Sequence, residues 1–313
     1  MLYSETKTTT IEKYLDNSKW NDINTTFLPL ADVKASIKLT DGNIIEASGF
    51  KLEKRGKTEF HACVSTQVGC KFGCKMCVSG KNGWKRDLSV AEILHQIEHV
   101  CELMEVEKLH HIVFMGIGEP LDNPVFAEAL EMLIKIDPWY AGRLSFATVG
   151  TLHRLEEFAA KQIPLNMLWL SLHAPNDTKR LELMPIAKKF KVVEVIEAGR
   201  KFRQIANVGE VRVNYLVYQG YNDSRQDAEE LAELLMGTKD DLTLQLTEPN
   251  GDEFKSYPLG TKEDVDRFMS YLKEAGVVNT MYRFLSAGKL VDGSCGRLLY
   301  TPSSTEQEKS KQS

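Results

Sequence analysis

The stretch Cys63-Val-Ser-Thr-Gln-Val-Gly-Cys70-Lys-Phe-Gly-Cys74-Lys-Met-Cys77 holds four of the six cysteines of a 313-residue chain. Its last three are spaced C-x-x-x-C-x-x-C, and Gly69 and Gly73 stand immediately before Cys70 and Cys74. The backbone can therefore turn tightly around a bound group. Three thiolates on one short loop can ligate three irons of a cubane cluster. No fourth cysteine follows at ligand spacing, so the fourth iron would stay open to a small molecule. Two blander readings stand beside this one. A structural zinc site closes with four ligands, often as paired C-x-x-C units. The extra donors here are Cys63, His61 and His95, and neither histidine has zinc-finger spacing. Inert buried thiols are the other reading. A disulfide framework does not suit so long a chain with so few cysteines.

Outward from this loop, strands and helices alternate. Residues 60–64, just before it, read as a strand. Residues 89–104 read as an amphipathic helix, with Val90, Ile93, Leu94, Ile97, Val100, Cys101 and Met104 on one stripe. Ser89 and Glu92 make a capping-box pattern at its start, and the stripe puts Cys101 in the core. Strands are expected at 112–115, 144–149, 165–172, 211–218, 242–246 and 280–285. Helices are expected at 124–136, 152–161, 192–205, 224–235 and 262–275, and 173–191 reads as a loop. Such alternation predicts a parallel sheet with helices outside. Right-handed crossovers would curl it into a partial (β/α)6 barrel of the α/β class. Ahead of it, residues up to about 30 read as a short helix and a loop. Residues 32–54 read as a β-hairpin turning at Asp41-Gly42. The expected division is an extension over 1–58, the barrel over 59–285, and a C-terminal segment over 286–313. That last segment carries Cys295 and a polar tail of disordered composition.

In parallel α/β folds the loops at the carboxyl ends of the strands carry the chemistry. The informative stretches fall there: the cysteine loop, Gly116-Ile-Gly118-Glu119-Pro120, Thr148-Val149-Gly150, Ser171-Leu-His-Ala-Pro-Asn-Asp177 and Glu248-Pro249-Asn250. Gly116 and Gly118 leave backbone open to a ligand, and Glu119 can accept hydrogen bonds from an ammonium group. A tight turn ahead of a proline explains the same loop without a ligand. His173 reads as a structural hydrogen-bonding residue, and Glu46, on the second arm of the hairpin, as a solvated strand carboxylate. A net charge of −5 advertises no nucleic-acid partner. Lys71, Lys75, Lys81, Lys85 and Arg86 do gather by the cysteine loop, suited to phosphate or to offsetting an anionic cluster. The start lacks a signal-peptide pattern and no apolar run is long enough to span a bilayer, so a cytoplasmic protein outside the membrane is expected.

These residues resemble a known superfamily. Cys70-x-x-x-Cys74-x-x-Cys77 followed by Gly116-Ile-Gly118-Glu119-Pro120 is similar to the radical S-adenosylmethionine (SAM) enzymes. Cys63 to Cys70, Met115 to Leu121, Ser171 to Asp177, Tyr221-Asn-Asp223 and Ser294-Cys295-Gly-Arg-Leu298 resemble the RlmN and Cfr adenosine methyltransferases. The resemblance implies a radical SAM barrel with a 4Fe-4S cluster on Cys70, Cys74 and Cys77, and SAM as second cofactor. SAM would be contacted by Gly118, Glu119, Ser171, Leu172 and His173. Val149 and Glu248 stand where the family has a serine and an asparagine. It implies too that Cys295 is methylated by one SAM, and that a second SAM, cleaved to a deoxyadenosyl radical, activates that methyl. The resulting methylene adds to an unsaturated adenine carbon, and Cys63 resolves the adduct by forming a disulfide with Cys295. Glu46 would be the proton acceptor. Implied partners are RNA (rRNA or tRNA) and a flavodoxin or ferredoxin electron donor, with the protein a monomer. The family's enzymes carry an N-terminal helical domain, and only about thirty residues precede the hairpin here. A smaller substrate is therefore the alternative to RNA, and a non-methylating radical rearrangement or oxidation the alternative to methyl transfer.

Overall fold

The structure, a computed structural model, describes residues 23–27, 33–54, 56–238, 240–249, 258–277 and 279–283. Cys295, Asn250 and the C-terminal segment lie outside them. The chain divides into two compact units, one built from residues 1–71, 78–144 and 287–313, the other from 72–77 and 145–286.

The first unit holds a five-stranded run ordered β1 (Ile23–Phe27), β2 (Val33–Lys38), β3 (Ile44–Lys54), β4 (Lys57–Cys63) and β7 (His111–Phe114). Neighbours are antiparallel up to β4, and β4 pairs with β7 in parallel. The hairpin is as expected, with Asn43 N–H donating to Asp41 Oδ1 at 3.0 Å in its turn. Ile23–Phe27 departs from the expected helix and loop: it is a strand, with Ile23 opposite Ile37 and Phe27 opposite Val33. Its β-branched and aromatic residues favour that state over a helix too short to nucleate. Two further short strands, β5 (Gln67–Gly69) and β6 (Trp84–Asp87), form an antiparallel ribbon of their own.

Helix α1 (Val90–Leu103) starts at the expected capping box: Ser89 Oγ accepts from Glu92 N–H while the Glu92 carboxylate accepts from Ser89 N–H. Ile93, Ile97, Val100 and Cys101 are buried on it, and each fully buried aliphatic side chain contributes about 1.5–3 kcal/mol. Cys101 is a core thiol, pushed up to about 12 by burial. Val33, Ala35, Ile37, Ile45 and Ala47 supply one buried sheet face. The opposite face of the same strands carries Lys34, Ser36, Glu46, Ser48 and Cys63. Helix α2 (Phe126–Ile136) follows β7, and Phe126 packs edge-on against Phe114.

The second unit is a run of parallel strands, β8 (Leu144–Thr148), β9 (Leu165–Ser171), β10 (Val208–Leu216), β11 (Thr243–Thr247) and β12 (Thr280–Arg283). Between them run α3 (Leu152–Ala159), α4 (Asp177–Leu183), α5 (Val192–Ile205), α6 (Arg225–Leu234) and α7 (Lys262–Glu274). Phe146, Phe158 and Phe202 pack as a three-ring cluster, and Tyr215 stacks on Phe268. Helix α4 lies inside the stretch expected to be a loop. At seven residues it is too short to show a 3.6-residue period, and its signal is the cap, where Asn176 Oδ1 accepts from Lys179 N–H at 3.0 Å. The fold is therefore α/β with a mostly parallel sheet. Among the described residues no helix is long and apolar enough to cross a membrane.

Candidate active site

In the first unit the site is built on the stretch from Cys63 to Gly69. Cys63 ends β4 opposite Ser48 and is buried against Phe50 and Ile117. Beyond it the chain leaves the sheet ladder, and buried polar side chains take over. Ser65 Oγ donates to Glu46 O at 2.6 Å and accepts from Ile117 N–H at 2.8 Å. The Gln96 amide grips the Ser65 backbone from both sides, at 2.8 and 2.9 Å. Gln67 Oε1 accepts from Glu119 N–H at 2.9 Å, and Asn123 Nδ2 donates to Thr66 O and Leu88 O.

The glycines of Gly116-Ile-Gly118-Glu119 have a reason other than ligand access. A Cβ on Gly116 would lie 2.7 Å from the Val64 carbonyl, and one on Gly118 2.7 Å from the Gln67 side chain. Gly118 also has φ +109°, which only glycine adopts without strain. The close approach is made by the chain itself. The loop lies against Val64 to Gln67, where Gly116 N–H donates to Val64 O and the Thr66 and Gln67 N–H groups donate to Ile117 O. Glu119 is buried, and Oε1 of its carboxylate caps the following turn by accepting from Leu121 N–H.

Glu46 is not the solvated carboxylate its strand pattern suggested. It is 6% exposed and pairs with Lys34 Nζ at 3.1 Å. Ser48 faces Cys63 across the ladder, so Glu46, two residues away, lies on the same sheet face as the thiol. The basic residues by the cysteine loop divide. Arg86 is held by both Glu92 oxygens at 2.8 Å and by Asp41 at 2.5 Å, and the Glu92 carboxylate above all raises its pKa. Lys71 pairs with Asp122.

In the second unit the segment Phe72 to Cys77 is a tight turn, with Cys77 N–H donating to Cys74 O at 3.0 Å. It docks on α4 through Lys75 N–H, which donates to Leu183 O at 2.9 Å. One turn back on that helix, Arg180 is fully buried. Its Nη2 donates to Val149 O at 2.8 Å and Ser171 O at 3.3 Å, and its Nη1 to Phe190 O at 3.0 Å. Burial lowers its pKa to about 10, with the Cys74 and Asp177 charges acting the other way, so it remains a cation at neutral pH. Val149 thus takes part through its carbonyl, where a serine in its place would add a hydroxyl. Glu248, after β11, is half-buried.

Leu172 is fully buried, so what it can offer a ligand is backbone. His173 sits at φ +59°, and its Nδ1 accepts from Leu216 N–H at 3.2 Å. The proton of the neutral ring therefore belongs on Nε2. Burial first, and the Arg180 charge second, push its pKa down to about 3. This is the structural histidine expected, with no base function near neutral pH. Asn222 holds the turn from beneath: Nδ2 donates to His173 O and Leu216 O, both at 2.8 Å, and Oδ1 accepts from Tyr218 N–H at 2.8 Å.

Cys70, Cys74 and Cys77 are half-buried. Among the described residues no three His, Cys, Asp or Glu side chains close on one ion position. A cubane takes a separate iron for each thiolate, and the buried Arg180 cation, on the helix against which the Cys74 turn docks, suits an anionic cluster, so the donor set fits. Ser65, Gln67, Asn123 and Arg180 are the supports that residue patterns did not single out. Their one signal is a polar residue inside an otherwise apolar or capped stretch.

Comparison with known proteins bears on this arrangement. The family model described as the radical SAM superfamily matches residues 64–235. The chain is 35% identical over 272 residues to a probable dual-specificity RNA methyltransferase RlmN of Carboxydothermus hydrogenoformans, with 85% of this chain and 75% of that protein covered. It is also 35% identical over 280 residues to the dual-specificity RNA methyltransferase RlmN of Campylobacter fetus, covering 85% and 77%. The crystal structure of a radical SAM methyltransferase from Sphaerobacter thermophilus superposes with a TM-score of 0.80 at 27% identity, covering 95% of this chain and 86% of that one. The family's cofactors are a 4Fe-4S cluster and SAM, and the chain belongs to the radical SAM superfamily and, within it, to the RlmN-type methyltransferases.

Proposed function

We propose that this radical SAM methyltransferase methylates an adenine carbon in RNA through a methyl group carried by Cys295 and resolved by Cys63. The observation that carries the reading is the buried Cys63 thiol at the end of β4, on one sheet face with the buried Glu46 and its half-buried partner Lys34. Its relatives' names support RNA as the substrate class. Cys70, Cys74 and Cys77 hold the cluster, while the Gly118-Glu119 loop and the Ser171 to His173 turn hold SAM.

When bound, the cluster and SAM would supply the methyl group, the one-electron chemistry that activates it and the acceptor for the single electron that the modified ring gives up, with electrons from a flavodoxin or ferredoxin. The chain's own part is thiol and proton chemistry. Cys295 Sγ carries the carbon that becomes bonded to the base. Glu46 takes the proton lost by the modified ring carbon, and Lys34 holds its carboxylate in position. The Cys63 thiolate attacks Cys295 Sγ, forming the disulfide. The sulfur–carbon bond breaks with its electron pair on the former methylene, which takes a proton to become the product methyl. Two external thiol groups, oxidised together to a disulfide, return two electrons and two protons and restore both cysteines.

Peptide mass spectrometry on purified protein tests the proposal. The Cys295 peptide is expected to carry one methyl group, and Cys63→Ala is expected to leave protein covalently joined to RNA. An unmodified Cys295 after anaerobic cluster reconstitution with SAM and reductant refutes it.

A further inference from the structure

Arg180 has no part in the chemistry above, yet it heads the largest fully buried side chains of the described residues. A buried guanidinium is expensive unless it is paired and hydrogen-bonded. Among the described residues no carboxylate lies within ion-pair distance of it. Its hydrogen-bond partners are the neutral carbonyls of Val149, Ser171 and Phe190, and Nε, buried, has no partner. Asp177, on the same helix, is engaged elsewhere, accepting from Val192 N–H at 2.8 Å and lying 3.5 Å from Lys191 Nζ. Beyond these bonds the guanidinium feels the charge of the Cys74 thiolate and, more weakly, that of Asp177. The segment bearing that thiolate is docked on the last turn of α4, the helix that carries Arg180.

We propose that Arg180 is a positioning residue for the radical chemistry with two separable parts. Its planar fork ties the ends of β8 and β9, and so the Val149 and Ser171 backbone, into the geometry that holds SAM. Its charge, which no carboxylate of the described residues pairs, sits on the helix that anchors the Cys74 turn and offsets the negative charge of the reduced cluster. The inference rests on the reading of Cys70, Cys74 and Cys77 as the cluster ligands. Core filling alone would need neither the fork, which reaches three carbonyls on three segments, nor a cation. A fork geometry and a charge can be removed separately because lysine keeps the second and loses the first.

The test compares wild-type protein with Arg180→Lys and Arg180→Met after anaerobic reconstitution. It reads iron per chain, the midpoint potential of the cluster by electron paramagnetic resonance titration, and SAM affinity by equilibrium dialysis. Iron in the wild type, about four per chain, checks the cysteine ligands independently of Arg180. R180M is expected to keep its iron, to show a more negative midpoint potential because the added electron loses a nearby cation, and to bind SAM about tenfold or more weakly. R180K is expected to recover the potential but not the SAM affinity. R180M with wild-type potential and wild-type SAM affinity overturns the proposal. Should R180M not accumulate, R180K decides alone: a wild-type potential with weakened SAM binding supports the proposal, and any other pair of results overturns it.

Discussion

Replacing Ser65 by alanine removes one oxygen from the point where the first unit's sheet meets its glycine loop. That hydroxyl is fully buried, donates to Glu46 O at 2.6 Å and accepts from Ile117 N–H at 2.8 Å. The variant leaves the Ile117 amide buried without its acceptor, a cost of about 1–3 kcal/mol. It also loses the bond to Glu46 O, worth roughly 0.5–1.5 kcal/mol net, for a total of about 1.5–4.5 kcal/mol. The loss should stay local, because Gln96 still holds the Ser65 N–H and carbonyl. Hydrogen exchange followed by mass spectrometry reads it directly. At about 2 kcal/mol, peptides spanning Gly116 to Leu121 are expected to exchange roughly thirtyfold faster, while those covering β10 keep their wild-type rate. SAM affinity should fall with the loosening, since Glu119 follows the same loop. Unchanged exchange over Gly116 to Leu121 would refute the role given to the hydroxyl.

Three further outcomes follow from the same geometry. Gly118→Ala forces a β-carbon to 2.7 Å from the Gln67 side chain at φ +109°; strain of about 1–3 kcal/mol should lower the melting temperature and weaken SAM binding, and a variant normal in both refutes the packing argument. His173, with its pKa lowered to about 3, refuses a proton that the unfolded chain accepts near pH 6.5. Its contribution to stability is complete above that pH and is lost as pH falls towards 3, by up to about 1.4 kcal/mol per pH unit. Urea midpoints measured from pH 7 to 4 should therefore fall more steeply for wild type than for His173→Asn, and parallel curves contradict this. Asn222→Leu strands the Tyr218 N–H and the His173 and Leu216 carbonyls and should cost about 2–4 kcal/mol, read as a lower denaturation midpoint; a loss under about 1 kcal/mol would show that water replaces the amide.

Periodicity revealed the elements whose burial repeats along the chain. The α1 stripe and its capping box, the β2–β3 hairpin and the parallel strands of the second unit all bury side chains at the spacing their sequence shows. It failed where the stabilising contact is not periodic. Ile23–Phe27 is a strand because β2 offers it a partner in register, which five residues alone cannot announce. Helix α4 completes only about two turns and depends on its Asn176 cap. Glu46 obeys the alternation of a solvated strand face, yet that face is buried and supplies Lys34 as a partner. Alternation tells which face a residue is on and not whether that face meets water. The family was legible in the cysteine spacing because that motif is a matter of local sequence, as was the glycine loop, though its glycines answer to Val64 and Gln67 as well.

The loop supports within each unit share a physical cause. A loop leaving the end of a parallel strand has no ladder to satisfy its amides and carbonyls, and buried ones must be paired. In the first unit Ser65, Gln67 and Asn123 supply that pairing to the Thr66 carbonyl, Ile117 and Glu119. In the second, Arg180 and Asn222 supply it to Val149, Ser171, His173 and Leu216. Each such side chain is matched to a backbone position and indifferent to the side chain there. A serine, which the resemblance implies at position 149, would change nothing there: the atom Arg180 holds is the Val149 carbonyl, which the exchange leaves in place. The loops can therefore vary in side chain, and with it in what they present to a ligand, while the polar residues beneath keep the backbone geometry fixed.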